Sequence, residues 1–389
     1  MLFSIALILL IGMFAGWICK KLHLPALLGM IFTGILLGPY ACNLIDTSIL
    51  NISSELRRIA LIIILTRAGL SLDTNDLKKV GRPAVLMCFL PACFELLGVI
   101  LLAPGLLHIS LLDAAVMGAV LAAVSPAVIV PKMLKLMNEG YGTDKAIPQL
   151  ILAGASVDDV FVIVLFSAFT GLAQGGALNA VSFMKIPVSI LVGILIGIII
   201  GILMAIFFKK FHIRDTAKVV IILCTSFLLV TIEDTYSYLI PFASLIAVIC
   251  VGIALQKKRP EVATRLSSKF SKLWVASEIL LFVLVGATVD LKYAVLAGFP
   301  ALILICSVLL FRMAGVFFCM LHTPLNYKER LFCMLAYMPK ATVQAAIGGI
   351  PLSMGLACGN IVLAIAVLAI LITAPLGAFL IELTYKRLL

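Results

Sequence analysis

Apolar runs long enough to cross a membrane follow one another from Leu2 to Leu383, separated only by short connections. The hydrocarbon core of a bilayer is roughly 30 Å thick, which a helix crosses with about 20 apolar residues. Inside it every backbone N–H and C=O must be satisfied within the protein, so each run is read as a helix. Thirteen spans are expected: 2–19, 24–41, 56–73, 83–106, 110–136, 146–170, 187–208, 217–232, 238–255, 274–291, 299–320, 328–350 and 356–383. With 63% hydrophobic and only 12% charged residues, no stretch is left to fold as a soluble domain. The first run carries its charges, Lys20 and Lys21, after the apolar segment and lacks a small-residue cleavage site, so it is expected to be a retained helix. The fold class is an all-α polytopic membrane protein.

The net charge of +11 raises nucleic acid as a partner until the basic residues are placed. They cluster in alternate connections: Lys20 and Lys21; Lys78, Lys79 and Arg82; Lys132, Lys135 and Lys145; Lys209, Lys210, Arg214 and Lys218; Lys257 to Lys272; Lys328 and Arg330; and Lys386 and Arg387 at the end. The other connections hold only Arg57, Arg58, Lys185 and Lys292. By the positive-inside rule this sets the N-terminus outside and the C-terminus in the cytoplasm, across a cytoplasmic (inner) membrane. The basicity reflects topology, and no nucleic-acid role is expected. The ten cysteines are scattered without CxxC spacing and read as apolar filler.

An internal repeat runs through the chain. RAGLSLD, ending at Asp73, resembles VGATVD, ending at Asp290, at an offset of 217 residues. The same offset carries the stretch from Pro83 onto that from Pro300, and Glu95 onto Arg312. At a slightly shorter offset SPAVIV around Pro126 matches MPKATV around Pro339. The shift takes spans 3, 4 and 5 to spans 10, 11 and 12, an odd displacement that inverts orientation. Two six-helix units joined by span 7 follow, an arrangement typical of secondary transporters, whose sites lie near mid-membrane at the repeat interface.

Several polar residues lie at membrane depth. Pro126 and Pro131 interrupt span 5, and in span 12 Pro339 stands beside Lys340, Thr342 and Gln344. Each proline removes a helical hydrogen bond, so both spans are candidate broken helices, with Ser125, Lys340 and Thr342 available to the exposed helix ends. Asp158 and Asp159 sit in the middle of span 6, in GASVDDVFVIVLF. A carboxylate there costs roughly 3 kcal/mol on insertion scales and marks an ion or proton path. Adjacent helical residues point about 100° apart, so the two divide their roles. One division has Asp159 as principal cation ligand and Asp158 as its assistant. Protons and a hard cation such as Na+ or Li+ seek the same oxygens, and the pair titrates as a unit. A membrane aspartyl protease also uses two aspartates, but its GxGD pattern is absent. Glu95 and Arg312 occupy equivalent positions in inverted helices and are expected to meet as a buried, structural ion pair. Arg67 is expected to snorkel, Glu278 to line a cytoplasmic funnel, and Asp73 and Asp290 to cap helices or lie at the surface.

LRRIALIIILTRAGLSLD, AVSPAVIVPKML, GYGTDKAIP before GASVDD, MPKATVQAAIG and LITAPLGA together resemble the cation/proton antiporter superfamily, in its NHA-type sodium/hydrogen exchanger branch. The resemblance covers most of the chain in order. It implies a homodimer working by an elevator mechanism in pH homeostasis. Residues 82–170 and 299–383 would form the core transport domain, and 1–81 and 187–298 the scaffold and linker helix. It further implies crossed broken helices at spans 5 and 12 and ion binding by Asp158 and Asp159. Many family members place a lysine where this chain has Arg312, and arginine does not deprotonate in proteins, so the proton is assigned to the aspartates. The expected function is Na+(Li+)/H+ antiport, with membrane lipid as surroundings, no cofactor and no enzyme chemistry. A K+/H+ antiporter, or a sodium-coupled organic-solute symporter of similar fold, is the alternative.

Overall fold

A computed structural model describes residues 1–22, 24–71, 81–174, 180–211, 213–236 and 242–389, with backbone alone for 156, 180–187, 291 and 293–297. Asp73, Lys78 and Lys79 lie outside the described residues. Within them the chain is helical, without strands. In order the helices are α1 (Leu2–Lys21), α2 (Ala26–Leu37), α3 (Thr47–Asn51), α4 (Ser53–Ser71), α5 (Arg82–Met87), α6 (Leu90–Leu107), α7 (Leu111–Leu121), α8 (Pro126–Glu139) and α9 (Ile147–Gln174). They continue as α10 (Ala180–Lys210), α11 (Asp215–Tyr236), α12 (Ser244–Lys258), α13 (Pro260–Thr288), α14 (Leu291–Cys319), α15 (Tyr327–Ala336), α16 (Thr342–Ile347), α17 (Ile350–Ser353) and α18 (Gly359–Leu388). Among the described residues nine helical stretches are long and apolar enough to cross a membrane. This is a multi-pass membrane protein.

Several helices differ from the expected spans, each for a local reason. The expected 24–41 contracts to α2, whose 12 residues end where Gly38 turns extended (ψ 173°) before Pro39. A residue before proline is driven out of the helical region. In the other direction, α13 starts at Pro260, although 256–273 reads as a basic connection. Proline suits a first helical position. Beyond it Val262, Leu266, Phe270 and Trp274 recur every four residues as a buried stripe, while Arg265, Lys269 and Lys272 stay exposed. One amphipathic helix thus covers what looked like a loop. The helix α14 is bent at Gly298 (φ 37°, ψ −128°), two residues before Pro300.

The chain forms two compact units. One comprises Glu55–Thr74 and Ile163–Glu278. There α10 and α12 pack at backbone contact, since a Cβ on Gly197 would lie 2.4 Å from the Ala247 carbonyl oxygen. Close approach through glycine is how apolar helices gain dispersion contacts where lipid is as apolar as the partner. Arg58 forks onto Asp234 through two bonds of 2.7 and 2.8 Å in the same unit. The other unit comprises Met1–Ser54, Asn75–Val162 and Ile279–Leu389. Its core gathers Met87, Ile129, Met133, Ile151, Phe332 and Tyr337, from α5, α8, α9, α15 and the residue that follows α15. The polar groups described next are buried beside this core.

Candidate functional site

Two helices stop and restart in the middle of the larger unit. Between α7 and α8 the chain leaves the helix at 122–125, and between α15 and α16 at 337–341. In both the cause is a proline. Pro126 occupies the first position of α8, where its ring would clash with the carbonyl four residues back if the helix ran on, while Ser125 before it is extended (φ −96°, ψ 108°). Pro339 lies inside the second break, and Ala341 (φ −164°, ψ −76°) precedes the restart at Thr342. Pro131, expected to share in the first interruption, lies inside α8 without ending it. The two breaks meet: the Ser125 N–H donates to the Pro339 carbonyl at 2.8 Å.

A helix that stops in a dry interior leaves carbonyls without partners, and each must be met by another group. At the end of α7 they are met by side chains from α14, the second break and α16. Leu121 O accepts from Lys340 Nζ at 2.6 Å and from Gln344 Nε2 at 3.2 Å. Ala122 O accepts from Arg312 Nη1, and Ala123 O from Gln344 Nε2 at 2.8 Å. On the second break, Tyr337 O accepts from Arg312 Nε at 2.7 Å, and the Lys340 N–H donates to Thr373 Oγ1 on α18 at 3.0 Å. Arg312, Lys340, Gln344 and Thr373 are all fully buried. The positive charge of Lys340 lies at a helix C-terminus, where the macrodipole favours it.

Arg312 is the hub of the charged groups. Its Nη1 lies 2.9 Å from Glu95 Oε2, its Nη2 lies 2.9 Å from Asp158 Oδ2, and the guanidinium stands 5.0 Å from the centre of the Tyr337 ring. The contact with Asp158 goes beyond the expected pairing of Arg312 with Glu95. Glu95 takes a second cation, Lys340, at 2.5 Å. Asp158 Oδ2 also accepts the Val124 N–H at 2.7 Å, so both its bonds fall on one oxygen. Its Oδ1 is buried without a hydrogen-bond partner, as are Asp159 Oδ1 and Ser125 Oγ. The two aspartates differ in surroundings: Asp158 is fully buried, whereas Asp159 is half-buried and, among the described residues, has no cation at ion-pair distance. Helix geometry explains the difference, since the neighbour of a residue that faces the breaks is turned about 100° away.

Of the remaining expected residues, Thr342 opens α16 and is buried. Glu278 falls in the other compact unit, half-buried on α13. Asp290 caps α14 by accepting the Lys292 N–H at 2.9 Å. Three members of the network carry more than the sequence reading assigned them. Gln344 stood out only as a polar residue near a proline, and Tyr337 and Thr373 not at all. The signal for Thr373 was present: a lone hydroxyl in the apolar run LAILITAPLGA, two residues before Pro375.

The family model described as "Sodium/hydrogen exchanger, transmembrane" matches residues 5–386. The chain belongs to the sodium/hydrogen exchanger family. Its members are transporters, not enzymes. Human sodium/hydrogen exchanger 9B2 is 32% identical over 389 residues, covering 94% of this chain and 70% of that protein. Human sodium/hydrogen exchanger 9B1 is 30% identical over 387 residues, covering 94% of this chain and 73% of its own length. Among solved structures, the sodium proton antiporter MjNhaP1 from Methanocaldococcus jannaschii at pH 8 superposes with a TM-score of 0.86, covering 99% of this chain and 97% of that one. At 20% identity that likeness speaks for the exchanger fold alone.

Proposed function

We propose that this exchanger moves Na+ or Li+ one way and H+ the other, with the Asp158 and Asp159 carboxylates as the shared binding site. The observation that carries the reading is a charge balance. Glu95 and Asp158 are matched by Arg312 and Lys340, all at ion-pair distance, and among the described residues of the site Asp159 is left as the unmatched carboxylate. One unmatched negative charge is neutralised by one monovalent cation or one proton, but not by both. The unpaired oxygens of Asp158, Asp159 and Ser125 are hard donors of the type that Na+ and Li+ prefer. An arginine at 312 stays charged throughout and serves as a fixed structural partner of Glu95, so the proton travels on the aspartates.

The breaks support crossed half-helices between two inverted repeats, within a thirteen-span topology, since the helices fall one after another along the expected stretches. On this reading the core domain, 82–170 with 299–383, carries the site across the membrane against the scaffold of a homodimer. The N-terminus lies outside the inner membrane and the C-terminus in the cytoplasm.

The test is proton flux in proteoliposomes after addition of Na+, Li+ or K+, for the wild type and Asp159→Asn. Na+ and Li+ are expected to drive flux in the wild type and neither in the variant. Full exchange by Asp159→Asn sinks the proposal, and a response to K+ with none to Na+ moves the chain to K+/H+ exchange. One-for-one exchange also predicts rates independent of an imposed membrane potential.

A further inference from the structure

The peptide unit joining Ala123 to Val124 is held at both ends by side chains from different helices. Its N–H donates to Asp158 Oδ2 at 2.7 Å, and its carbonyl accepts from Gln344 Nε2 at 2.8 Å. Because a peptide unit is planar and rigid, its O and its H move as one body. A shift at the carbonyl therefore re-aims the N–H on the opposite side. The break supplies no helical bond to hold this unit in place, since 123–125 are outside both α7 and α8.

Gln344 is fully buried on α16, and the same Nε2 reaches Leu121 O at 3.2 Å. Two carbonyl acceptors decide which way the carboxamide faces, because turning it over would aim Oε1 at both oxygens. In this orientation Oε1 is buried without a partner. That is a standing cost, and it is tolerated where the two donor hydrogens are used. An apolar side chain of the same length would fill the space without it.

We propose that Gln344 is a positioning residue for ion binding. Through the Ala123–Val124 peptide it sets the direction of the N–H that Asp158 receives, and so couples α16 to the carboxylate. The inference rests on the reading of the two aspartates as the exchange site. Without the Nε2 donor the peptide is free to turn, Asp158 loses the aligned N–H, and its second oxygen is no longer presented in one direction. Cation affinity then falls, while the residues that carry the ions remain.

The test is a Na+ titration of exchange in proteoliposomes, with thermal stability measured in parallel, for the wild type, Gln344→Met, Gln344→Leu and Asp159→Asn. Gln344→Met keeps length and loses both donors. Its half-saturating Na+ concentration is expected to rise about tenfold, the equivalent of one hydrogen bond of support, with the maximal rate within about twofold. An unchanged half-saturating concentration, whether the maximal rate falls or not, overturns the proposal. Gln344→Leu, which likewise has no donor and no charge, gives the deciding titration if the methionine variant does not assemble, with the same expectation and the same refutation. Full exchange in Asp159→Asn would instead overturn the site on which the inference rests. Loss of exchange there, with an unchanged half-saturating concentration in the Gln344 variants, removes the role of Gln344 alone.

Discussion

Replacing Arg312 with methionine removes four bonds at once, and the structure says which of the groups left behind suffer. Glu95 keeps Lys340 at 2.5 Å. Asp158 keeps the Val124 N–H at 2.7 Å but loses its only bonded cation among the described residues. The carbonyls of Ala122 and Tyr337 each lose a donor. Stranding one buried charge costs roughly 3–5 kcal/mol. Glu95→Gln is milder, because Arg312 retains Asp158 and both carbonyls, and Lys340 retains Leu121 O; losing hydrogen bonds to a charged group costs about 1.5–3 kcal/mol. The two substitutions share one contact, so the double variant should be less destabilised than the sum of the singles by about 1–3 kcal/mol. Equilibrium unfolding of the detergent-purified protein, run as a double-mutant cycle, measures this. Additivity within about 0.5 kcal/mol would refute the pairing. A cost for Glu95→Gln that exceeds the cost for Arg312→Met would refute the role of Arg312 as the hub.

Four further outcomes follow from the same structure. A Cβ on Gly377 would sit 2.3 Å from Cγ of Pro339, so Gly377→Ala should push on the second break, cost about 1–3 kcal/mol and slow exchange. Gly105→Ala in α6, where nothing lies within 4 Å, should be neutral or stabilising by up to about 1 kcal/mol in the same unfolding assay. Thr373→Val preserves volume but leaves the Lys340 N–H buried without its acceptor, and should lower stability by about 1–3 kcal/mol. Finally, if one proton competes with one cation, the half-saturating Na+ concentration should rise by at most about tenfold per pH unit on acidification. A limiting slope near a hundredfold per unit in the flux assay would mean two protons and refute the charge balance around Asp159.

The parts of this site that could be read from the sequence are those with a one-dimensional signature. The repeat offset that relates Pro83 to Pro300 also separates Glu95 from Arg312, whose side chains lie 2.9 Å apart. Residues related by an axis need only lie near it to meet. Prolines gave the breaks less sharply, because Pro126 and Pro131 look alike in SPAVIVP, yet the chain leaves the helix only before the first. What set them apart was where donors for orphaned carbonyls stood: Lys340, Gln344 and Arg312 are aligned on Leu121 to Ala123.

The rotation of α9 was not legible, because DD in an apolar run is consistent with either aspartate facing inward. That rotation decides the chemistry. Turned as it is, the helix gives Asp158 to the guanidinium and leaves Asp159 half-buried and, among the described residues, unmatched. On the proposed reading, a helix turned by one residue would make Asp159 the tethered carboxylate and pass the exchange role to Asp158. The fixed charge of Arg312 therefore does more than hold Glu95: by engaging one aspartate it makes two chemically identical side chains unequal. On the proposed reading, a pair so divided has one carboxylate held by a permanent cation and one free to trade a proton for a metal ion, the minimum that competition at a single charge requires.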